Sequence, residues 1–235
     1  MTRVDVLPNT PEWLQWRRTG VGGSDVPILL GVSSYHDASV YNLAVDKLGL
    51  VEIPETMEEM PYAMRRGIYL EPKARRMLEE SVKVPIYSVC GQREDFAHHI
   101  VSLDGWWEGR KATRIAEFKA LKHEIHLQFE QVADGYAEPS SLPVGLLVQC
   151  QWQLYVSGAD WCYLCCYSEK KGEERQFHKV RLYPEPDLWY DVLIPTVDKF
   201  WRGLESVRNL VGDGMGWEEA LGEVFPRKET GDADG

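Results

Sequence analysis

The chain has no apolar run approaching the 20 or so residues that a helix needs to cross a bilayer. Its first residues, "MTRVDVLPNTPEW", carry neither the basic stretch nor the apolar core of a secretory signal. A soluble, cytoplasmic protein with no membrane partner is the expectation. Cysteine is scarce and uneven: Cys90, Cys150, Cys162, Cys165 and Cys166 make an odd set, three of them inside "WCYLCCY". A secreted disulfide framework does not fit that count. A CxxCC run invites a metal or iron–sulfur reading, because thiolates are the usual ligands. Tetrahedral thiolate sites want two separated pairs, however, and the aromatic, strand-like surroundings suit buried apolar cysteines. Positive charge is also short, with 26 Lys and Arg against 37 Asp and Glu and a net charge of −11. Taken alone this argues against a phosphate-rich partner. The acids gather in "VEIPETMEEM" and the tail "KETGDADG", though, while Arg17, Arg18, Arg65, Arg66, Lys73, Arg75 and Arg76 form short basic runs. A basic path inside an acidic shell is compatible with that distribution. There is no internal repeat. The Gly-rich "TGVGGSD" lacks the Lys and the preceding strand of a phosphate-cradling P-loop.

What is present is enough apolar material, 44% of 235 residues, to bury a full core. One domain over residues 1–226 with a flexible acidic tail over 227–235 is expected. The first third reads as helical: "PEWLQWRR" has a Pro start, "SDVPILLG" a Ser cap and terminal Gly, and "DASVYNLAVDKLG" repeats the pattern. A helix over 62–82 interrupted at Pro72 follows. Strand-like runs lie at 86–90, 98–103, 114–121, 161–167 and 177–182, a helix ends at Gly158, and an amphipathic helix spans 186–210. The order implies an α/β (α+β) domain with a small mixed central sheet flanked by helices and a helical N-terminal region.

The informative stretch is "VSLDGWWEGRKATRIAEFKAL", residues 101–121. If its second half is a strand, Ile115, Glu117, Lys119 and Leu121 share one face and Ala116, Phe118 and Ala120 the other. Both faces are largely apolar, as in a strand inside a sheet. A carboxylate and an ammonium there each cost several kcal/mol to desolvate unless compensated. Upstream, alternation puts Ile100, Ser102 and Asp104 on one face, and a turn at Gly105 would bring Asp104 beside Glu117 and Lys119. Two close carboxylates repel unless a divalent cation lies between them, and magnesium, a hard ion with oxygen ligands, suits such a pair. Lys119 would then orient or deprotonate water, or stabilise charge on a phosphoryl oxygen. The competing reading is an ordinary ion pair on a solvated strand face, and the residues alone leave both open.

The order Glu71, Asp104, Glu117-Phe118-Lys119 resembles the PD-(D/E)xK nuclease core, and further blocks resemble its YqaJ and lambda-exonuclease type viral recombinases. These blocks are "WLQWRRTGVGGSDVPILLGVSSY", "RRGIYLEPKARRMLE" and "LVQCQWQLYVSGADW"; together the four cover residues 12 to 168. The resemblance implies a restriction-endonuclease-like core and a metal-dependent exonuclease. Such an enzyme degrades linear double-stranded DNA from 5′ to 3′ and leaves 3′ overhangs for a single-strand annealing recombinase of phage-type recombination. It implies Mg2+, with Mn2+ as a substitute, held by Asp104, Glu117, the carbonyl of Phe118 and Glu71, directly or through water. Lys119 would serve the attacking water. It points to Arg17, Ser24, Ser102 and Gln151 for the terminal 5′ phosphate, with Arg18, Gln149 and Tyr155 as weaker candidates. A ring-shaped homo-oligomer, a trimer by resemblance, would act in the bacterial host of a phage or prophage. Many members carry a further acid before the Asp-Gly strand, and here Glu94 and Asp95 both qualify. Each position also has a plainer role: Ser24 as a helix cap, Glu71 as a first-turn acid, Gln151 as a solvated helix residue, Tyr155 as core. An endonuclease, an iron–sulfur nuclease and a non-catalytic DNA-end-binding accessory protein are the alternatives.

Overall fold

The computed structural model describes residues 1–35, 38–54, 56–109, 112–169 and 176–227. The expected acidic tail, Arg227 apart, and Arg110 and Lys111 lie outside the described residues. Six strands form one sheet in chain order: β1 (Thr2–Val4), β2 (Tyr87–Gln92), β3 (Ile100–Glu108), β4 (Thr113–Lys119), β5 (Trp161–Tyr167) and β6 (Phe177–Leu182). All neighbours are antiparallel except β4 and β5, which run parallel. A parallel pair needs a long crossover. Two helices supply it, α5 (His123–Ala133) and α6 (Val144–Ser157).

Alternation along β4 feeds two separate cores. Ala116 and Phe118 pack with Leu70, Ala74 and Leu78 of α4 (Tyr62–Val82). Ile115 belongs instead to the larger core built on Val148, Trp152 and Val156 of α6. The sheet is thus covered on both sides, and a charged residue on the Ile115 face of β4 is buried beneath α6. The N-terminal helix α1 (Pro11–Arg17) is followed by α2 (Val26–Leu29) and α3 (Val40–Lys47), which lie on this side too, with Val26 and Leu43 in the α6 core. Thr10 caps α1 by accepting from the Trp13 amide at 3.2 Å, and Ser39 caps α3 in the same way at 3.1 Å. At the C-terminal end α7 (Pro186–Leu188) continues through one wide turn, Trp189–Leu193, into α8 (Ile194–Gly212), and α9 (Trp217–Val224) folds back on it. Val197, Phe200, Leu204 and Val207 bury the inner stripe of α8 at the three- and four-residue spacing expected for 186–210.

Three expectations need correction. The helix over 62–82 is continuous; Pro72 lies on its exposed side, where the carbonyl left without a donor can turn to water. Gly105 is not a turn. It pairs with Ala116 inside the ladder, and the hairpin closes four residues later where the Gly109 amide donates to the Ala112 carbonyl at 2.8 Å. Alternation along β3 also breaks. Val89 pairs with Leu103 but Tyr87 with Trp106, so two steps of β2 face three of β3 and an extra residue is accommodated at Asp104 and Gly105. Such a bulge re-aims the side chains beside it. Strand β1 and helices α5 and α9 had no counterpart in the sequence reading.

Candidate functional site

The bulge in β3 sets the position of Asp104. Its Oδ2 accepts from the Phe118 amide of β4 at 3.0 Å, so the carboxylate lies across the strand pair rather than along it. A Cβ on Gly105 would come within 2.8 Å of Ile86 and 3.0 Å of Ala116, which is why glycine follows the aspartate. Glu117 is buried at 4% exposure and ion-paired to Lys119, Nζ to Oε1 at 2.7 Å. Glu71 enters from α4, held by Arg75 four residues on; Arg75 also donates to Ser88 Oγ at 2.7 Å. Burial raises the Asp104 carboxyl well above its ordinary range, and the charges of Glu117 and Glu71 push the same way. Glu71 is raised as well, by burial ahead of the opposing Arg75 guanidinium. Burial works against the charge on Lys119, but the Glu117 carboxylate outweighs it and its pKa is raised.

Two glutamines of α6 complete the setting of Glu117. Gln149 donates to Oε1 at 2.7 Å and Gln153 to Oε2 at 2.6 Å. They stand four residues apart, one helical turn, and so share a face. Gln151 lies between them and points elsewhere. Its Nε2 donates to the Tyr183 carbonyl and Glu185, and its Oε1 accepts from the Glu185 amide and Trp189 Nε1. The structure therefore brings Gln149 and not Gln151 to the acidic cluster, and adds Gln153, which the sequence reading missed. The i, i+4 spacing from Gln149 was the available signal.

The N-terminal block builds a second group. Arg17 Nη2 donates to Ser24 Oγ at 2.6 Å and pairs with Asp25 Oδ1 at 3.3 Å, and its guanidinium lies 4.9 Å from the Trp13 ring. Trp13 Nε1 donates to Ser102 Oγ at 3.0 Å, which draws Ser102 into the same group. The first residue outside α2 is Asp25, so Ser24 is not its cap and its hydroxyl serves Arg17 instead. Gly23 sits against Gln149 and Gln153: a Cβ there would lie 3.1 Å from Gln153 Cγ and 3.3 Å from Gln149 Cγ. The loop carrying Ser24 is thus packed on the side chains that hold Glu117.

The other named residues stand apart. Arg18 turns to Asp46 and the Val51 carbonyl, leaving Arg17 with Ser24. Glu94 takes only the Thr2 hydroxyl at 3.4 Å among its described contacts, and Asp95 pairs with Arg93; neither meets the acidic cluster, because both precede β3 at the β1 edge. Tyr155 bonds His99 Nδ1 at 3.3 Å and lies under the Arg93 guanidinium. His98 and His99 both reach Asp198 Oδ1, at 2.9 and 2.7 Å. Among the described residues these three are the group whose donor atoms all lie within 4.8 Å. Ordinary hydrogen-bond lengths to one shared oxygen account for it. Burial drives His99 down to about 4, so it is neutral at physiological pH. The cysteines are divided between the cores: Cys150 and Cys162 are hydrogen-bonded neighbours in the α6 core with Cys166, Cys165 belongs to the α4 core, and burial pushes Cys162 and Cys165 well up. Neutral buried thiols on both sides of a sheet make a core, not a cluster site.

The acidic cluster suits a hard divalent cation. Its donors are all oxygen, burial and then the Glu117 and Glu71 charges force Asp104 toward its protonated form, and Gln153 Oε1 is buried with no partner among the described residues. Glu71, Asp104 and Glu117 are not among the groups whose donor atoms all lie within 4.8 Å of one another among the described residues, and Arg75 pairs with Glu71.

The family described as YqaJ-like viral recombinase domain matches residues 12–160. An uncharacterized protein, YqaJ of Bacillus subtilis strain 168, is 26% identical over 152 residues, 64% of this chain. The chain spans only 43% of that relative's length. An alkaline exonuclease from Laribacter hongkongensis has a similar fold, with a TM-score of 0.66, 22% identity, and coverage of 87% of this chain and 97% of that one. The same enzyme crystallised with dAMP matches at TM-score 0.67 and 21% identity over the same shares. A phage-related exonuclease from Haemophilus somnus 129PT matches at TM-score 0.57 and 14% identity over 83% and 96%. At these identities the likeness is one of fold.

Proposed function

The chain belongs to the YqaJ-like viral recombinase family, and on that premise we propose that it is a metal-dependent deoxyribonuclease that digests linear duplex DNA from the 5′ end. The product would be a 3′ overhang for an annealing recombinase in the cytoplasm of a bacterial host. The observation that carries this reading is the meeting of Glu71, Asp104 and Glu117 from α4, β3 and β4 with Lys119 beside them and Asp104 raised well above its ordinary range. The exonuclease fold of the Laribacter and Haemophilus proteins, one of them crystallised with a deoxynucleotide, supports the same class. A ring-shaped homo-oligomer, by family resemblance a trimer, would make digestion processive, and light scattering on the purified chain reads its size.

Asp104, Glu117 and the Phe118 carbonyl are the residues that would hold the metal, with Glu71 near; Mg2+ is the proposed ion, Mn2+ its substitute. When bound, it supplies Lewis acidity toward the phosphodiester and a water of lowered pKa. The rest falls to the chain. Lys119, whose pKa is raised, remains an ammonium at neutral pH, so it orients water and stabilises a phosphoryl oxygen rather than taking a proton. Gln149 and Gln153 each give one hydrogen bond to Glu117 and fix its orientation. Arg17, Ser24 and Ser102 offer donors of the kind that receive a terminal phosphate, Arg17 as the fixed charge.

The test is digestion of linear duplex with 5′-phosphate or 5′-hydroxyl ends, with and without Mg2+. Lys119→Ala should cut nucleotide release by about 10³-fold, the scale of losing a charge-stabilising donor. Cleavage of closed circular DNA sinks the exonuclease reading. Full activity in Lys119→Ala sinks the site.

A further inference from the structure

Behind Arg17 lies a buried ion pair that no part of the proposed chemistry uses. Lys47, the last residue of α3, has a side chain only 1% exposed, and its Nζ contacts Asp25 Oδ2 at 2.7 Å and the Arg17 carbonyl at 2.7 Å. Asp25, with a 6% exposed side chain, receives in addition the Gly22 amide at 2.8 Å and Arg17 Nη2 at 3.3 Å. One carboxylate therefore ties together the Arg17 side chain, the backbone of the loop leading to Ser24, and a lysine that also grips the Arg17 main chain. Burial alone would raise Asp25, but the Lys47 and Arg17 charges outweigh it and the carboxyl is held below its ordinary range. An aspartate paired with Arg17 alone would cancel the charge a phosphate needs. Burial lowers the Lys47 pKa against the opposing Asp25 carboxylate; as an ammonium Lys47 gives the group two cations against one carboxylate, and the arginine is both held and left with its attraction for an anion.

Burying a lysine is costly unless it is fully paired. A fold that needed only to join α1 to α3 could do so with apolar side chains. Lys47 is too deeply buried to touch DNA, so any effect on DNA passes through Arg17.

We propose that Lys47 and Asp25 are positioning residues that set the orientation and net charge of Arg17 for a terminal 5′ phosphate. This rests on the reading of Arg17 and Ser24 given above. The test is equilibrium binding, not turnover. Fluorescence anisotropy in Ca2+ gives the Kd of duplex ends bearing a 5′-hydroxyl relative to those bearing a 5′-phosphate, for the wild type, Lys47→Met, Arg17→Ala and the double variant. Lys47→Met should lower that ratio about tenfold, the scale of a charge-assisted hydrogen bond, and should lower it no further once Arg17 is alanine. A high wild-type ratio left unchanged by Lys47→Met overturns the inference. So does a drop that adds to that of Arg17→Ala. A wild-type ratio near one overturns the terminal-phosphate reading itself, and does so before any variant is made. Where circular dichroism finds Lys47→Met unfolded, Lys47→Gln, which keeps a donor without the charge, is taken through the same cycle with the same deciding outcomes.

Discussion

The loop carrying Ser24 and the Glu117 carboxylate both rest on Gln149 and Gln153 of α6, and the charge clusters on either side are unbalanced in opposite directions. Around Arg17 there are two cations, Arg17 and Lys47, for one carboxylate, Asp25. Around Asp104 there are three carboxyl groups, Glu71, Asp104 and Glu117, for two cations, Arg75 and Lys119. The first group is satisfied by short contacts throughout and still holds a positive excess. The second holds a negative excess over Arg75 and Lys119 among the described residues, and burial, with the Glu117 and Glu71 charges behind it, pushes the Asp104 carboxyl toward its neutral form. An excess of each sign in adjoining clusters is what a site needs to take an anion at one point and a cation at the next. The net charge of −11 reveals neither.

The contrast can be broken at several points. The largest effect in the acidic cluster short of removing its own charges is expected from Gln153→Ala, which takes one hydrogen bond from Glu117. It should lower kcat for linear duplex by about tenfold, with KM little changed, in steady-state nucleotide release. Next comes pH. In the metal-free protein the raised Asp104 carboxyl binds its proton more tightly folded than unfolded, so above the ordinary 3.8 the folded state carries the extra proton. The stability it lends is present at low pH and lost as pH rises through its folded value. Scanning calorimetry in EDTA should find Tm falling by roughly 5 °C across that loss, and Asp104→Asn should flatten the slope. Divalent cation, competing with the proton, should restore Tm most at high pH. The smallest effect on function is expected from Gln151→Ala. Urea denaturation should register a loss of about 1–3 kcal/mol for its severed bonds to the 183–189 segment, while the preference for 5′-phosphate ends stays intact. A lost preference there would return Gln151 to the phosphate group.

How much of this was legible follows from what each residue type signals. Glu117 and Lys119 stood out because alternation showed two apolar faces around them, and the four ordered blocks supplied Glu71, Asp104, Arg17 and Ser24. Gln153 was hidden because ten consecutive residues of α6, from Val148 to Ser157, are buried, so no polar stripe marks which glutamine faces the sheet. The Asp-Gly pair was read as a turn because glycine serves turns and bulges alike, and only the pairing register distinguishes them. Lys47 closes a surface-like pattern, "AVDKLG", and nothing in one sequence tells a solvated lysine from one that folds inward to a distant aspartate. Three-residue β1 is too short to show a period at all.

The bulge at Asp104 and Gly105 has a consequence for how this strand can change. Most positions in β3 can exchange one side chain for another at a local cost. Losing a single residue from this pair is different: β3 would return to plain two-residue alternation against β2, and everything upstream of the gap, Ser102 included, would rotate to the opposite side. Gaining one would do the same. Insertions and deletions should therefore be shut out of the segment from Ile100 to Trp106 far more strictly than substitutions, because the number of residues there, and not only their identity, aims the site.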